Sequence, residues 1–92
     1  MLIFEWDKLK ASENEKKHGV SFPEAATAFG DPLSLTIPNP EHSVGEARYL
    51  ILGMSFPGRL LVVVHTHWDD RIRIVSARLA TPAERRDYEE KG

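Results

Sequence analysis

Residues 60–80, LLVVVHTHWDDRIRIVSARLA, constrain the fold more than any other stretch of the chain. Two runs rich in β-branched residues flank Trp68-Asp69-Asp70, a pattern that predicts a β-hairpin. Its register decides what shares a surface. A three-residue loop over 68–70 sets His67 opposite Arg71, His65 opposite Arg73 and Val63 opposite Val75, all on one face. The other face then carries Val62, Val64, Thr66, Ile72 and Ile74. A two-residue loop, Asp69-Asp70, sets each histidine against an isoleucine and mixes both faces. A one-residue slip moves every side chain of a strand across the sheet, so a clean apolar face selects the register. The three-residue loop is therefore expected, giving one apolar face for a core and one face bearing His and Arg.

The 92 residues suit one domain. A chain of this size buries roughly 60–65% of its unfolded surface, enough for one modest core. There is no cysteine, which excludes a disulfide framework and a thiolate zinc site. The longest apolar run, Leu60–Val64, is far short of a membrane span, and no signal peptide opens the chain. A soluble, cytoplasmic protein is expected. The formal net charge of −2 gives no global footprint for nucleic acid. Arg71, Arg73, Arg78, Arg85 and Arg86 nevertheless lie close together, and a local basic surface can bind phosphate.

Met1–Trp6 reads as a first strand. Asp7 is a suitable N-cap for a polar helix over 8–18, with Gly19 just past its end. Ser21-Phe22-Pro23-Glu24 is a capping box opening a helix over 22–29, closed by Gly30. Leu33–Ile37 is a strand, Pro38–Gly45 a loop, and Ala47–Phe56 a further strand. Pairing 56 with 59 across Pro57-Gly58 sets Arg48 opposite His67, on the face of His65, His67, Arg71 and Arg73. Thr81-Pro82-Ala83-Glu84 is a second capping box, opening a helix over 82–90. The order is β-α-α-β-β-β-β-α: an α+β domain with two N-terminal helices, an antiparallel meander and one C-terminal helix.

Phe4-Glu5-Trp6-Asp7, Lys17-His18-Gly19-Val20-Ser21-Phe22, Glu24-Ala25, Asp31-Pro32, Gly45-Glu46-Ala47-Arg48 and Ile72-Arg73-Ile74-Val75-Ser76-Ala77-Arg78 stand in a telling order and spacing. In these the chain resembles the BrnT family, the toxin half of bacterial type II toxin–antitoxin modules, from Phe4 to Tyr88. The combination of FEWD, KHGVSF and IRIxSAR carries the resemblance. It implies one BrnT-like toxin domain over 1–92, a fold similar to the RelE-like ribonuclease toxins, and a metal-independent endoribonuclease that inhibits translation. It also implies a BrnA-like antitoxin, which occludes the toxin and supplies the DNA-binding domain. A dimeric antitoxin would give a heterotetramer, with DNA reached only through the antitoxin.

Metal-free RNA cleavage proceeds by attack of a ribose 2′-hydroxyl on the adjacent phosphate. It needs a base, an acid and cations for the developing charge. Arginine matches phosphate oxygens with a planar fork and stays charged; histidine transfers protons near neutral pH. His65, Arg48, Arg78 and Tyr88 are the candidate catalytic residues. Arg73, Arg71, Lys17 and Glu84 are the candidate RNA-binding ones. Each has a plainer reading. His65 reads equally as a half-buried sheet histidine, Tyr88 as helix packing, Glu84 as a cap, and Lys17 as a cation complementing a helix C-terminus. Strict alternation from Ile72 puts Arg78 on the apolar side, so a bulge near Ser76 or a strand end is needed to turn it. His65 and His67 could chelate a metal, but no third ligand is forced near them, so neither metal nor cofactor is expected. The competing function is a catalytically weak or inactive antitoxin-binding module acting in transcriptional autoregulation.

Overall fold

The computed structural model describes residues 1–39 and 47–91. Strands β1 (Ile3–Glu5), β2 (Leu35–Pro38), β3 (Arg48–Met54), β4 (Leu60–Trp68) and β5 (Arg71–Leu79) form one sheet in the order β1-β5-β4-β3-β2. Helices α1 (Lys8–His18) and α2 (Phe22–Thr27) lie between β1 and β2 in sequence, and α3 (Pro82–Lys91) follows β5. The class is α+β, with the expected element order. The sheet is mixed rather than wholly antiparallel: β2 to β5 form the meander, and β1 pairs parallel with β5. The helices after β1 carry the chain across the sheet, and such a crossover makes parallel pairing possible. Most of the expected loop Pro38–Gly45 lies outside the described residues.

The helix ends follow their capping chemistry. Asp7 accepts the amides of Leu9 and Lys10 at 2.9 and 3.0 Å, and Gly19 closes α1 in the left-handed region at φ 69°. Thr81 and Glu84 exchange both bonds of a capping box at 2.8 and 3.2 Å. The Ser21 box is only half made. Ser21 accepts the Glu24 amide at 3.1 Å, but the Glu24 carboxylate turns to Ser55 and Arg59 instead. Arg59 also donates to the Gly19 carbonyl, so this network ties both helices to the β3–β4 turn. The second helix is shorter than expected, ending in a 3-10 turn over Ala28–Gly30.

One face of the sheet packs on α1, α2 and the 3-10 turn. Val20, Phe22, Ala25 and Ala28 meet Ile51, Leu61, Val63, Ile72, Ile74 and Ala77 there. Full burial contributes about 1.5–3 kcal/mol for each large side chain. Beyond Glu5, β5 has lost its strand neighbour, and the Asn14 side chain takes its place. It donates to Ala77 O at 2.8 Å and accepts from Ala77 N at 3.1 Å, with a third bond to Val20 O at 3.0 Å.

The expected registers are each wrong by one residue, in opposite senses. The β3–β4 turn has three residues, Phe56-Pro57-Gly58, with Gly58 at φ 97°; Arg48 therefore faces Thr66, not His67. The β4–β5 turn has two, Asp69-Asp70, with Asp69 at φ 53°; Trp68 faces Arg71, Thr66 faces Arg73 and His65 faces Ile74. The two slips compensate. Arg48, Arg71 and Arg73 keep a common face, and β4 alone is turned over. A clean apolar face does not select the register here, because both sides of β4 are buried at its start: Leu61 and Val63 under the helices, Leu60 and Val62 on the side that α3 covers. A bulge at Val75 lies between the pairs His65–Ile74 and Val64–Ser76. It returns Ser76 and Arg78 to the face of Arg73 and sends Ala77 into the core.

Candidate functional site

The side of the sheet away from α1 and α2 carries a cross-strand row, Arg48–Thr66–Arg73. Towards the β4–β5 turn the next row is Trp68–Arg71; the other way come Leu50–Val64–Ser76 and Leu52–Val62–Arg78. Arg48 and Arg78 flank a hollow of about 340 Å³, floored by Leu50, Val62 and Val64 and walled by Asn39, Val75 and Ser76. Four residues of β4 separate the two levels, about 13 Å of strand. Arg71 and Arg73 are exposed, and Arg71 lies 3.6 Å from the exposed Glu5. Such an exposed pair contributes little.

Arg78 is fixed by a two-pronged contact with Glu84, at 2.8 and 2.9 Å. The same carboxylate accepts the Thr81 amide. The guanidinium, against a smaller opposing effect of burial, holds Glu84 down at about 2, while Arg78 is pushed further up by the pairing. Glu84 is thus ionised at every physiological pH and aims Arg78 at the hollow.

Three expected members are elsewhere. His65 is the principal correction: with β4 turned over it points into the helix-covered side and is 2% exposed. Its ring meets Phe29 edge-on at 4.8 Å and Tyr49 at 5.9 Å. Burial pushes its pKa down and keeps the imidazole neutral. The structure therefore separates His65 from the arginines by the thickness of the sheet. Tyr88 is buried beneath α3, its hydroxyl donating to Asp31 at 2.6 Å. That bond pushes Tyr88 up to about 12. Asp31 also accepts the Met54 amide, and Met54 lies six residues from Arg48 along β3, about 20 Å. Lys17 is on α1, beside a separate hollow of about 210 Å³ that it lines with Lys10, Asn14 and His18. Val75 and Ser76 wall both hollows, so Lys17 stands across the bulge from the arginines.

Sequence reasoning missed Thr66, Ser76 and Asn39. Alternation alone places Thr66 on the apolar face, and only the turn lengths move it. No pattern singles out Ser76 or Asn39. Among the described residues no three His, Cys, Asp or Glu side chains group to hold a metal ion, and no helix is long and apolar enough to cross a membrane.

A family model described as the ribonuclease toxin BrnT of a type II toxin–antitoxin system matches residues 6–84. The chain belongs to the BrnT family. BrnT toxins are ribonucleases, so RNA is the substrate class and an antitoxin is the partner class. The crystal structure of the Brucella abortus ribonuclease toxin BrnT superposes with a TM-score of 0.68, at 18% identity, covering 88% of this chain and 99% of that one. That likeness establishes the BrnT fold independently of sequence. Comparison with curated proteins gives no match. The matched span contains Arg48, Arg73, Arg78 and Glu84 and stops before Tyr88.

Proposed function

We propose that this chain is a single BrnT toxin domain over residues 1–92, acting in the cytoplasm as a metal-independent endoribonuclease. Its action on RNA inhibits translation. The substrate backbone is held on the open face, with one phosphate at Arg48 and Arg73 and Arg78 across the hollow from them. The 2′-hydroxyl oxygen attacks phosphorus and gives its proton to solvent, the bond to the 5′-oxygen breaks and that oxygen takes a proton from water, and the products are a 2′,3′-cyclic phosphate and a 5′-hydroxyl. Charge grows on the non-bridging oxygens during that exchange, and preorganised arginines stabilise it. Both carboxylate oxygens of Glu84 are taken by Arg78, and the Tyr88 hydroxyl is committed to Asp31 away from Arg48, so neither is placed to move these protons. Glu84 positions Arg78, and Tyr88 anchors α3. Arg71 and Lys17 extend the cationic surface on either side. A BrnA-like antitoxin neutralises the toxin by covering this face. Its own dimerisation would give a heterotetramer, with DNA bound through the antitoxin alone.

The observation that carries this reading is the shared row: Arg48 and Arg73 both lie against Thr66, on the face that the Val75 bulge restores to Arg78. The test is incubation of the antitoxin-free protein with long single-stranded RNA in excess chelator, beside Arg78→Ala. Cleavage by the wild type alone is expected. Cleavage by both, or by neither when the chain is folded, contradicts the proposal. Two observations favour the second reading, an inactive antitoxin-binding module: His65 faces away from the arginines, and Glu84 offsets the charge of Arg78. Absence of cleavage together with retained antitoxin binding is its expected outcome.

A further inference from the structure

Trp68 ends β4 on the arginine face, and it is 77% exposed. The alternation that brings Thr66 against Arg48 and Arg73 also puts Trp68 beside Arg71, one row further out. The two rows are about 6.7 Å apart along the strand, close to the reach of one nucleotide. The other tryptophan is differently placed. Trp6 is half-buried and packs edge-on against Phe22 at 6.0 Å. The tip beyond Trp68 is Asp69-Asp70, whose carboxylates repel phosphate, so the ligand group suited to this end of the face is a nucleobase rather than the backbone. An indole beside guanidinium groups is the combination that binds single strands: the cations track phosphates, and the ring stacks a base.

Resting on the RNA-cleaving face proposed above, we infer that Trp68 is a base-stacking subsite for single-stranded RNA, one nucleotide beyond the phosphate held at Arg48 and Arg73. The stack fixes which phosphate comes to rest on the arginines. Trp68 is therefore a positioning residue, and its contribution is to affinity and cleavage register rather than to the bond exchange. Aromatic rings accept every base, so the subsite measures distance along the strand more than it reads sequence.

The test uses the full chain and a mixed-sequence RNA oligomer whose 2′-hydroxyls are methylated, so that it binds without being cleaved. Binding is followed by the anisotropy of a dye on the oligomer and separately by tryptophan emission. Saturation with the oligomer is expected to quench the emission, and Trp68→Phe, which leaves only Trp6 to report, to lose that response. Trp68→Ala is expected to weaken binding roughly 5- to 150-fold, with Trp68→Phe recovering most of the loss. The slope of log affinity against log salt stays unchanged, because no phosphate contact is removed. Oligomer bound by anisotropy with wild-type emission unaltered overturns the stacking assignment alone. So does Trp68→Ala binding as tightly as wild type, the outcome expected if this tryptophan serves a protein partner instead. A wild type that does not bind the oligomer overturns the RNA-binding face and this subsite with it.

Discussion

Glu84 shows how one side chain serves both fold and site. It caps α3 through the Thr81 amide and holds Arg78 by both carboxylate oxygens. Its pKa falls from the usual 4.5 to about 2. A lowered folded-state value means that the contribution to stability is complete above about 4.5 and is lost as pH falls towards about 2. Both side chains are partly exposed, so the contribution is about 1 kcal/mol. Urea unfolding of the wild type and Glu84→Gln should therefore differ at pH 7 and converge near pH 2. His65 behaves in the same sense for a different reason. Burial lowers its pKa, so the unfolded chain takes up its proton first as pH falls. Stability from this residue is full above about 6.5, the ordinary histidine value, and declines below it. Replacing His65 by Phe, which fits the aromatic cluster of Phe29 and Tyr49, should flatten the urea midpoint between pH 7 and 5. The capping roles at this scale were readable as short local motifs. The burial of His65 was not, because it depends on which of two faces β4 presents.

At the scale of elements the strands were legible and their phase was not. Asp7, Gly19, Thr81 and Pro82 mark helix ends through bonds made within a few residues, and α1 spans the expected 8–18. Strand register instead depends on turn length, and Phe56-Pro57-Gly58 and Trp68-Asp69-Asp70 each allow two. The expected bulge near Ser76 occurs at Val75, and this is what puts Arg78 on the face of Arg48. Two positions test the packing that results. At Gly53, on the core face of β3, an added Cβ would lie 2.8 Å from the Ala28 carbonyl oxygen, a backbone atom that cannot yield locally. Gly53→Ala should cost about 1–3 kcal/mol, measured by thermal or urea unfolding. Asn14 satisfies both backbone groups of Ala77 and the Val20 carbonyl in a buried setting. Asn14→Ala should cost about 3 kcal/mol and expose the Ala77 amide to hydrogen exchange well before the β4–β5 centre.

Across the whole molecule, acidic and basic side chains are nearly balanced at 14 to 12, so composition alone argues against a nucleic-acid ligand. Placement reverses that argument. The sheet divides the chain into a side packed on α1 and α2, which holds the core, and a side covered by α3 at one end only, which holds Arg48, Arg71, Arg73 and Arg78. Binding to such a local patch should weaken steeply with salt, by a slope of about 0.7 for each phosphate neutralised on a single strand. Arg48→Gln with Arg73→Gln should lower that slope by about 1.4 without unfolding the chain. The central claim is that the arginine side of the sheet, not the histidine inside it, is the ribonuclease site. The most direct measurement is the rate of cleavage of one RNA, in chelator, by Arg48→Gln/Arg73→Gln and by His65→Phe, with both variants shown to be folded. The account predicts a loss of at least about 100-fold in the arginine variant, as for removal of charge stabilisation from a transition state, and near wild-type cleavage by His65→Phe. Retained cleavage in the arginine variant with loss in the histidine variant would contradict it.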